Sequence, residues 1–297
     1  DKRLPDTKEN ILKTLASDDL IMATTTEWNI LNLGAILFAK DLKNFKELRR
    51  KSVRVIVYKE TSRVNAIKEQ EGGKGYASGF EGLVNYIMDQ LPSNEVIEKA
   101  LREKVKVYPE KAIREFVANA LIHQDFQISG ASPVVEIYSN RIEISNPGIP
   151  IVPVDRFIDG YQSRNERLAD LMRRVGICEE KSSGIDRVIQ SAEILQLPAP
   201  EFLVSQNRTI VIIHGLRPFK GMNGSDRVRA CYQHCVLQYV IRKQMTNQSL
   251  RIRFGVSEGS SNAISQIISN ALDQKLIKSD PNAPDSRRYA RYIPIWA

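Results

Sequence analysis

Between residues 109 and 145 the apolar side chains change period once, and that change restricts the fold more than any other feature of the chain. Over 109–123, Phe116, Val117, Ala120 and Leu121 recur at helical spacing. Pro109 suits the start, because the first helical N–H needs no partner. Over 134–138 and 141–145 the alternation is that of strands, and Ser139-Asn140 between them is a tight turn, so the pair reads as a hairpin. A helix leading into paired strands buries its apolar face on the sheet they begin. The expected class is therefore α/β (α+β), with helices laid on a sheet.

The flanking segments extend this pattern. Short helical spacing is expected over 6–16 and 28–42, a strand over 52–58, a glycine-rich charged loop over 69–79, and helices over 80–91 and 94–103 on either side of Pro92. A proline-rich loop over 146–153 leads to helices over 166–175 and 184–195 and a strand over 208–214. Residues 216–225, with Pro218, Gly221 and Gly224, form the best linker signal.

With 297 residues the chain exceeds one usual core, and the expected domains are 20–216 and 222–297 joined by 217–221. The chain opens in a charged stretch without an initiator Met, so 1–19 reads as the remnant of a linker to an upstream domain. The longest apolar runs fall far short of the roughly 20 residues a membrane helix needs, so no membrane is expected. An odd number of cysteines, Cys178, Cys231 and Cys235, suggests free thiols and a cytoplasmic setting. The net charge of +8 is unevenly placed: residues 1–216 hold 30 Lys/Arg against 30 Asp/Glu, and residues 217–297 hold 13 against 5.

Glu115, Asn119 and His123 are spaced i, i+4, i+8 on the 109–123 helix, each rotated only about 40° from the last, so they form one polar stripe. On its own such a stripe is the wet face of an amphipathic helix. Its company is more specific. The run 115–126, Glu-Phe-Val-Ala-Asn-Ala-Leu-Ile-His-Gln-Asp-Phe, is followed by Ile144-Ser145-Asn146-Pro147-Gly148 and by Ser182-Ser183-Gly184-Ile185 at the opening of a helix. Together these resemble the GHKL ATP-binding superfamily, and within it the ATPase-like domain of RecG-related transcriptional regulators, whose members often carry a Schlafen-like AlbA domain at the N-terminus. The resemblance spans roughly residues 30–297.

What the resemblance implies is a GHKL-like sandwich of helices on a mixed sheet, carrying a magnesium–ATP site. Asn119 would ligand Mg²⁺, a hard cation suited to oxygen donors. Glu115 would orient or deprotonate water in members that hydrolyse ATP. Backbone N–H groups near Gly184 would receive a phosphate at a helix start, and His123, Asn146, Gly148, Ser182 and Ser183 complete the nucleotide-facing set. Asn146 stands where the superfamily has an aspartate; its oxygen still accepts from an amino group, but without charge. Ser183 in place of glycine narrows the backbone's approach to phosphate.

The last segment carries a different pattern. Apolar residues from Val228 to Val240 lie on one helical stripe, Asn247 caps a short helix to 253, Gly255 makes a turn, and a helix over 257–275 leaves Ser261, Asn262, Ser265 and Gln266 outward. Two short strands, 277–279 and 287–293, follow with Arg287, Arg288 and Arg291. This is the order of a winged helix-turn-helix, in which polar helix residues read base edges of double-stranded DNA and wing cations meet phosphates. A basic protein-interaction domain of the same fold is the competing reading. Cys231, His234 and Cys235 do not make a zinc site, since the cysteines lie on the apolar stripe and no second pair of ligands exists. No nucleophile or base is expected beside His214.

The function expected from sequence is a DNA-binding transcriptional regulator with nucleotide as a possible effector and a homodimer matching palindromic sites. Two alternatives stand: an ATP-dependent enzyme acting on DNA, in relatives labelled helicase, and an adaptor with an inactive site. No Gly-x-x-x-x-Gly-Lys-Ser/Thr motif is present, so a P-loop motor is not supported.

Overall fold

A computed structural model describes residues 7–24, 27–98, 101–106, 108–178, 184–284, 286 and 289–297, with backbone alone over 93–98 and 101–106. The expected α+β class is observed, and among the described residues helices pack on a six-stranded mixed sheet.

Helix α1 (Lys8–Ser17) is capped by Thr7, whose hydroxyl accepts from Asn10 N–H. A two-stranded ribbon, β1 (Ile21–Ala23) with β2 (Trp28–Ile30), precedes α2 (Asn32–Phe38), so the helix expected over 28–42 begins only at Asn32. Next come β3 (Arg54–Tyr58), β4 (Ala66–Glu71) and α3 (Tyr76–Gln90). The loop expected over 69–79 instead holds the end of an edge strand and the first turn of α3. The helix expected over 94–103 is an antiparallel ribbon, β5 (Ser93–Glu98) with β6 (Leu101–Lys106). Val96, Ile97 and Val105 are β-branched, and that stiffness favours the strand over the helix.

Helix α4 (Glu110–His123) leads to the hairpin β7 (Val134–Ile137) and β8 (Arg141–Pro147). Then follow α5 (Glu166–Arg174), α6 (Gly184–Ile194), β9 (Glu201–Ser205) and β10 (Arg208–His214). The sheet order is β4-β3-β7-β8-β10-β9, with β3 and β7 parallel and the other pairs antiparallel. The register puts Val55, Val57, Val135, Ile137, Ile142, Ile144 and Ile213 on one face, all buried against Ala112, Ile113, Phe116 and Leu121 of α4 and Phe80, Val84 and Ile87 of α3. Removing a fully buried phenylalanine such as Phe116 typically costs about 3–5 kcal/mol. The opposite face is polar. Tyr58 stacks on Tyr138 at 4.8 Å, and Arg63 bridges Tyr138 Oη (3.0 Å) and Glu136 (2.8 Å).

The C-terminal unit comprises α7 (Gly224–Val240), α8 (Asn247–Phe254), α9 (Ser261–Asp273) and the ribbon β11 (Ile277–Ser279) with β12 (Tyr292–Pro294). Capping boxes open α7 (Asn223 with Asp226) and α8 (Thr246 with Ser249). Its apolar cluster, built on Val228, Cys231, Cys235, Leu250, Ile264 and Ile268, also contains Ile158, Ile189 and Ala199 from the preceding unit. Residues 217–221 carry a 3-10 turn, Phe219–Gly221, and Phe219 packs on Phe254 at 5.0 Å. The free thiols of Cys231 and Cys235 lie inside this cluster; burial pushes that of Cys231 up to about 12. Among the described residues no helix is long and apolar enough to cross a membrane.

Candidate nucleotide site and C-terminal face

The α4 stripe opens into a cavity of about 460 Å³. Glu115, Asn119 and His123 form its helical wall, and Gly184 closes one end. The sheet supplies the floor: in the β8–β10 register Ile144 faces Val211 and Asn146 faces Thr209, while Val211 faces Phe202 of β9. Period-two alternation thus aims Ile144 and Asn146 at α4 and turns Ser145 away. Arg164 completes the His123 end. Five residues expected from sequence, Glu115, Asn119, His123, Asn146 and Gly184, are brought to one cavity. Ser182 and Ser183 lie outside the described residues.

Gly148 does not line the cavity. Its φ of +107° is a backbone region that side chains avoid, and a Cβ there would stand 2.8 Å from Cβ of Asp125. Its role is to let the β8 exit pass close to the turn after α4, where Asp125 N–H donates to Pro147 O at 2.8 Å.

Within the cavity, Asn119 Nδ2 donates to Glu115 Oε1 at 3.0 Å. Glu115 is also packed on the first residue of α6: a Cβ built on Gly184 would lie 1.8 Å from Glu115 Oε1. Only glycine permits this approach of a carboxylate to the electropositive start of a helix. Burial raises the proton affinity of Glu115, opposed by the Asn119 hydrogen bond and by Arg187. Burial, with Arg164 nearby, pushes the His123 imidazole down to about 4, so it is neutral at pH 7. Asn146 is buried and its Nδ2 donates to Pro147 O (3.2 Å), which leaves Oδ1 as an acceptor. Thr209 gives its hydroxyl proton to Gly148 O (2.8 Å) and so also presents lone pairs.

Sequence reasoning missed Thr209, Arg164 and Phe202. Thr209 was visible in principle, since Thr209, Val211 and Ile213 alternate along β10; Arg164 and Phe202 depend on loop placement and on a short strand without an alternation signal.

On the C-terminal unit, Asn262, Ser265 and Gln266 are exposed on α9 and Ser261 is half-buried. Asn247 Nδ2 donates to Ser261 O (3.1 Å) and Ser265 Oγ (3.0 Å), tying α8 to α9. Gln266 donates to Asn270 (3.0 Å). Arg291 is exposed immediately before β12, and Arg287 and Arg288 lie outside the described residues. The basic excess is not all at the surface. Arg253 is 3% exposed and donates to Leu197 O (2.7 Å), Arg229 binds Asp226 (2.7 Å) and Ala199 O (3.0 Å), and Arg217 pairs with Asp226 at 3.1 Å. Arg253 and Arg229 thereby tie α8 and α7 to the preceding unit, and Arg217 ties the linker to α7, roles that the residue count alone does not distinguish from a surface field.

Ser249, His234 and Glu193 align as hydroxyl, imidazole and carboxylate do in acyl-transfer enzymes, with Ser249 Oγ to Nε2 at 3.0 Å and Nδ1 to Glu193 at 2.9 Å. Geometry assigns them to structure. Ser249 Oγ already accepts from Thr246 N–H and reaches Thr246 O, both at 3.0 Å, His234 is buried, and none of the three lines the cavity.

Residues 130–213 match the family model described as "Putative ATP-dependent DNA helicase recG C-terminal", which supports a RecG-related, ATPase-like domain in this chain. The matched span begins after α4 and includes Asn146, Thr209 and Gly184. No curated protein matches the chain. The fold is similar to that of the DIP2311 protein from Corynebacterium diphtheriae, with a TM-score of 0.59 and 17% identity over 95% of this chain. The chain spans 57% of the length of that protein.

Proposed function

We propose that the chain is a DNA-binding transcriptional regulator, in which an ATPase-like unit over 20–216 takes a magnesium nucleotide as effector and a winged helix over 222–297 reads duplex DNA. The observation that carries this reading is the cavity uniting Glu115, Asn119, His123, Asn146 and Gly184. Its apolar floor of Ile144, Val211 and Phe202 suits a flat ring. The acceptors Asn146 Oδ1 and Thr209 Oγ1 suit an exocyclic amino group. Asn119 Oδ1 is an oxygen donor of the kind Mg²⁺ takes, and the ion would neutralise phosphate charge beside Glu115. A second reading, a weak ATPase, is favoured by one observation: Glu115 is half-buried in the cavity wall with raised proton affinity, as a proton acceptor beside the substrate would be.

For the DNA-reading half the support is the helix–helix–helix–ribbon order, the outward Asn262, Ser265 and Gln266, and exposed Arg242, Lys243, Lys275 and Arg291. A regulator that senses nucleotide must bind it differently in its two DNA-binding states, since equal affinity shifts no population. Fluorescence anisotropy with labelled duplex DNA, with and without saturating Mg²⁺-ATP, tests this. Displaced isotherms are expected. Superimposed isotherms contradict the switch, and no DNA binding in either condition contradicts the regulator.

A further inference from the structure

Helix α6 touches both halves of the proposed function. Its first residue, Gly184, meets the Glu115 carboxylate, and Gly184 and Ile185 line the cavity. Eleven residues carry it roughly 16 Å across the molecule. Val188 packs into the apolar core of the sheet unit and Ile189 into that of the C-terminal unit, so the helix is wedged between the two.

At its far end α6 holds both termini of α8. Glu193 accepts from His234 Nδ1 at 2.9 and 3.0 Å, and His234 Nε2 meets Ser249 Oγ at 3.0 Å. Ser249 is the residue that closes the α8 capping box, so the chain of bonds ends on the N-terminus of α8. The turn after α6 reaches the other end. Leu197 O accepts from Arg253 (2.7 Å), and a Cβ on Gly255, the left-handed C-cap of α8, would stand 2.3 Å from the Gln196 side-chain amide. Helix α8 in turn carries Asn247, the residue tied to α9.

We infer that α6 is a relay: a ligand that moves the Glu115 carboxylate off Gly184 shifts α6, and Glu193, through the buried His234, repositions α8 and with it the outward face of α9. His234 and Glu193 are positioning residues in this scheme. Its physiological trigger rests on the nucleotide reading of the cavity, but the mechanical link does not, because Gly184→Ala drives a methyl group into the same carboxylate without any ligand. The bonds are discrete and the two cores are close-packed, so a displacement at one end has few places to be absorbed.

Hydrogen exchange of the full chain reads the relay at the amides of α8. In the parent, saturating Mg²⁺-ATP should change α8 exchange by about 5-fold or more, the lower end of usual coupling between sites. Glu193→Ala, which lies outside the cavity, should bind ATP as the parent does by calorimetry yet lose most of that change. His234→Gln should behave likewise if Glu193→Ala proves poorly folded. Gly184→Ala without nucleotide should alter α8 exchange in the parent background and not in Glu193→Ala. ATP binding with unchanged α8 exchange overturns the relay, as does undiminished transmission in Glu193→Ala. If calorimetry shows no ATP binding, the nucleotide reading falls, and the ligand-free Gly184→Ala comparison alone decides the relay: α8 exchange altered in the parent background but not in Glu193→Ala upholds it, and exchange unaltered in the parent, or altered equally in both backgrounds, overturns it.

Discussion

Replacing Gly184 by alanine should destabilise the parent protein and stabilise, or leave unchanged, a variant that lacks Glu115. Alanine is a better helix former than glycine by at most ~1 kcal/mol, so α6 by itself gains from the change. Against that gain stands the new Cβ, 1.8 Å from Oε1 and 2.2 Å from Cδ of Glu115, a distance at which the carboxylate must move. Moving it breaks the 3.0 Å hydrogen bond from Asn119. A hydrogen bond to a charged group contributes about 1.5–3 kcal/mol, and the favourable position at a helix start about 0.3–1 kcal/mol more. The net effect in the parent is therefore a loss of about 1–3 kcal/mol. In Glu115→Ala there is no carboxylate to displace, and only the helix term remains. The two substitutions should be non-additive by about 2–4 kcal/mol, measured by urea unfolding of the parent, both single variants and the double variant. If Gly184→Ala shifts stability equally in both backgrounds, to within about 0.5 kcal/mol, the carboxylate does not rest on α6 and the site geometry is wrong.

His123 should make folding sensitive to acid. Its folded pKa of about 4 lies below the unfolded 6.5, so its contribution is fully present above pH 6.5 and is lost as pH falls from 6.5 through 4. The shift corresponds to about 3 kcal/mol, and the stability of His123→Gln, followed by denaturation against pH, should lack that component; a parallel acid profile refutes it. Alanine at Arg291 should weaken binding to all duplexes and flatten the salt dependence by roughly 0.9 log units, as expected for one lost phosphate contact. Replacing Asn262 or Gln266 should instead lower preference for a cognate site by on the order of 1–3 kcal/mol with non-specific binding unchanged. An Arg291→Ala variant that binds as the parent does across a salt series would show that Arg291 is not a phosphate contact.

The elements legible in the sequence were those whose apolar residues repeat at a clear period: α4, the β7–β8 hairpin, α5, α6, β10 and the three C-terminal helices. Those that escaped share a physical reason. Strand β4 is an edge strand with Lys68, Glu69 and Glu71 in it, and an edge exposed on both sides leaves no alternation to read. Strand β9 carries the unbroken apolar run Phe202-Leu203-Val204 without alternation, and Phe202 is half-buried by packing against Phe116 and Phe157, which come from distant elements. At 93–106 the charged residues Glu95, Glu98, Arg102, Glu103 and Lys104 suggest a wet helix, and the β-branched residues outweighed them. The stripe on α4 was readable because one helix fixes the relation of Glu115, Asn119 and His123. Contacts set by tertiary packing were not: nothing local brings Gly184 onto Glu115, Thr209 opposite Asn146, or Glu193 onto His234. The cations that bind α7 and α8 to the preceding unit look, in sequence, like those of a DNA surface.

Isothermal titration calorimetry of Mg²⁺-ATP into the full chain reads whether the α4 cavity takes a nucleotide through magnesium at Asn119. Saturable binding by the parent is expected, dependent on magnesium and weakened in Asn119→Ala. Glu115→Ala, which removes no phosphate or magnesium contact, should still bind. Absence of binding at millimolar Mg²⁺-ATP, or binding that Asn119→Ala leaves unchanged, would contradict the nucleotide reading.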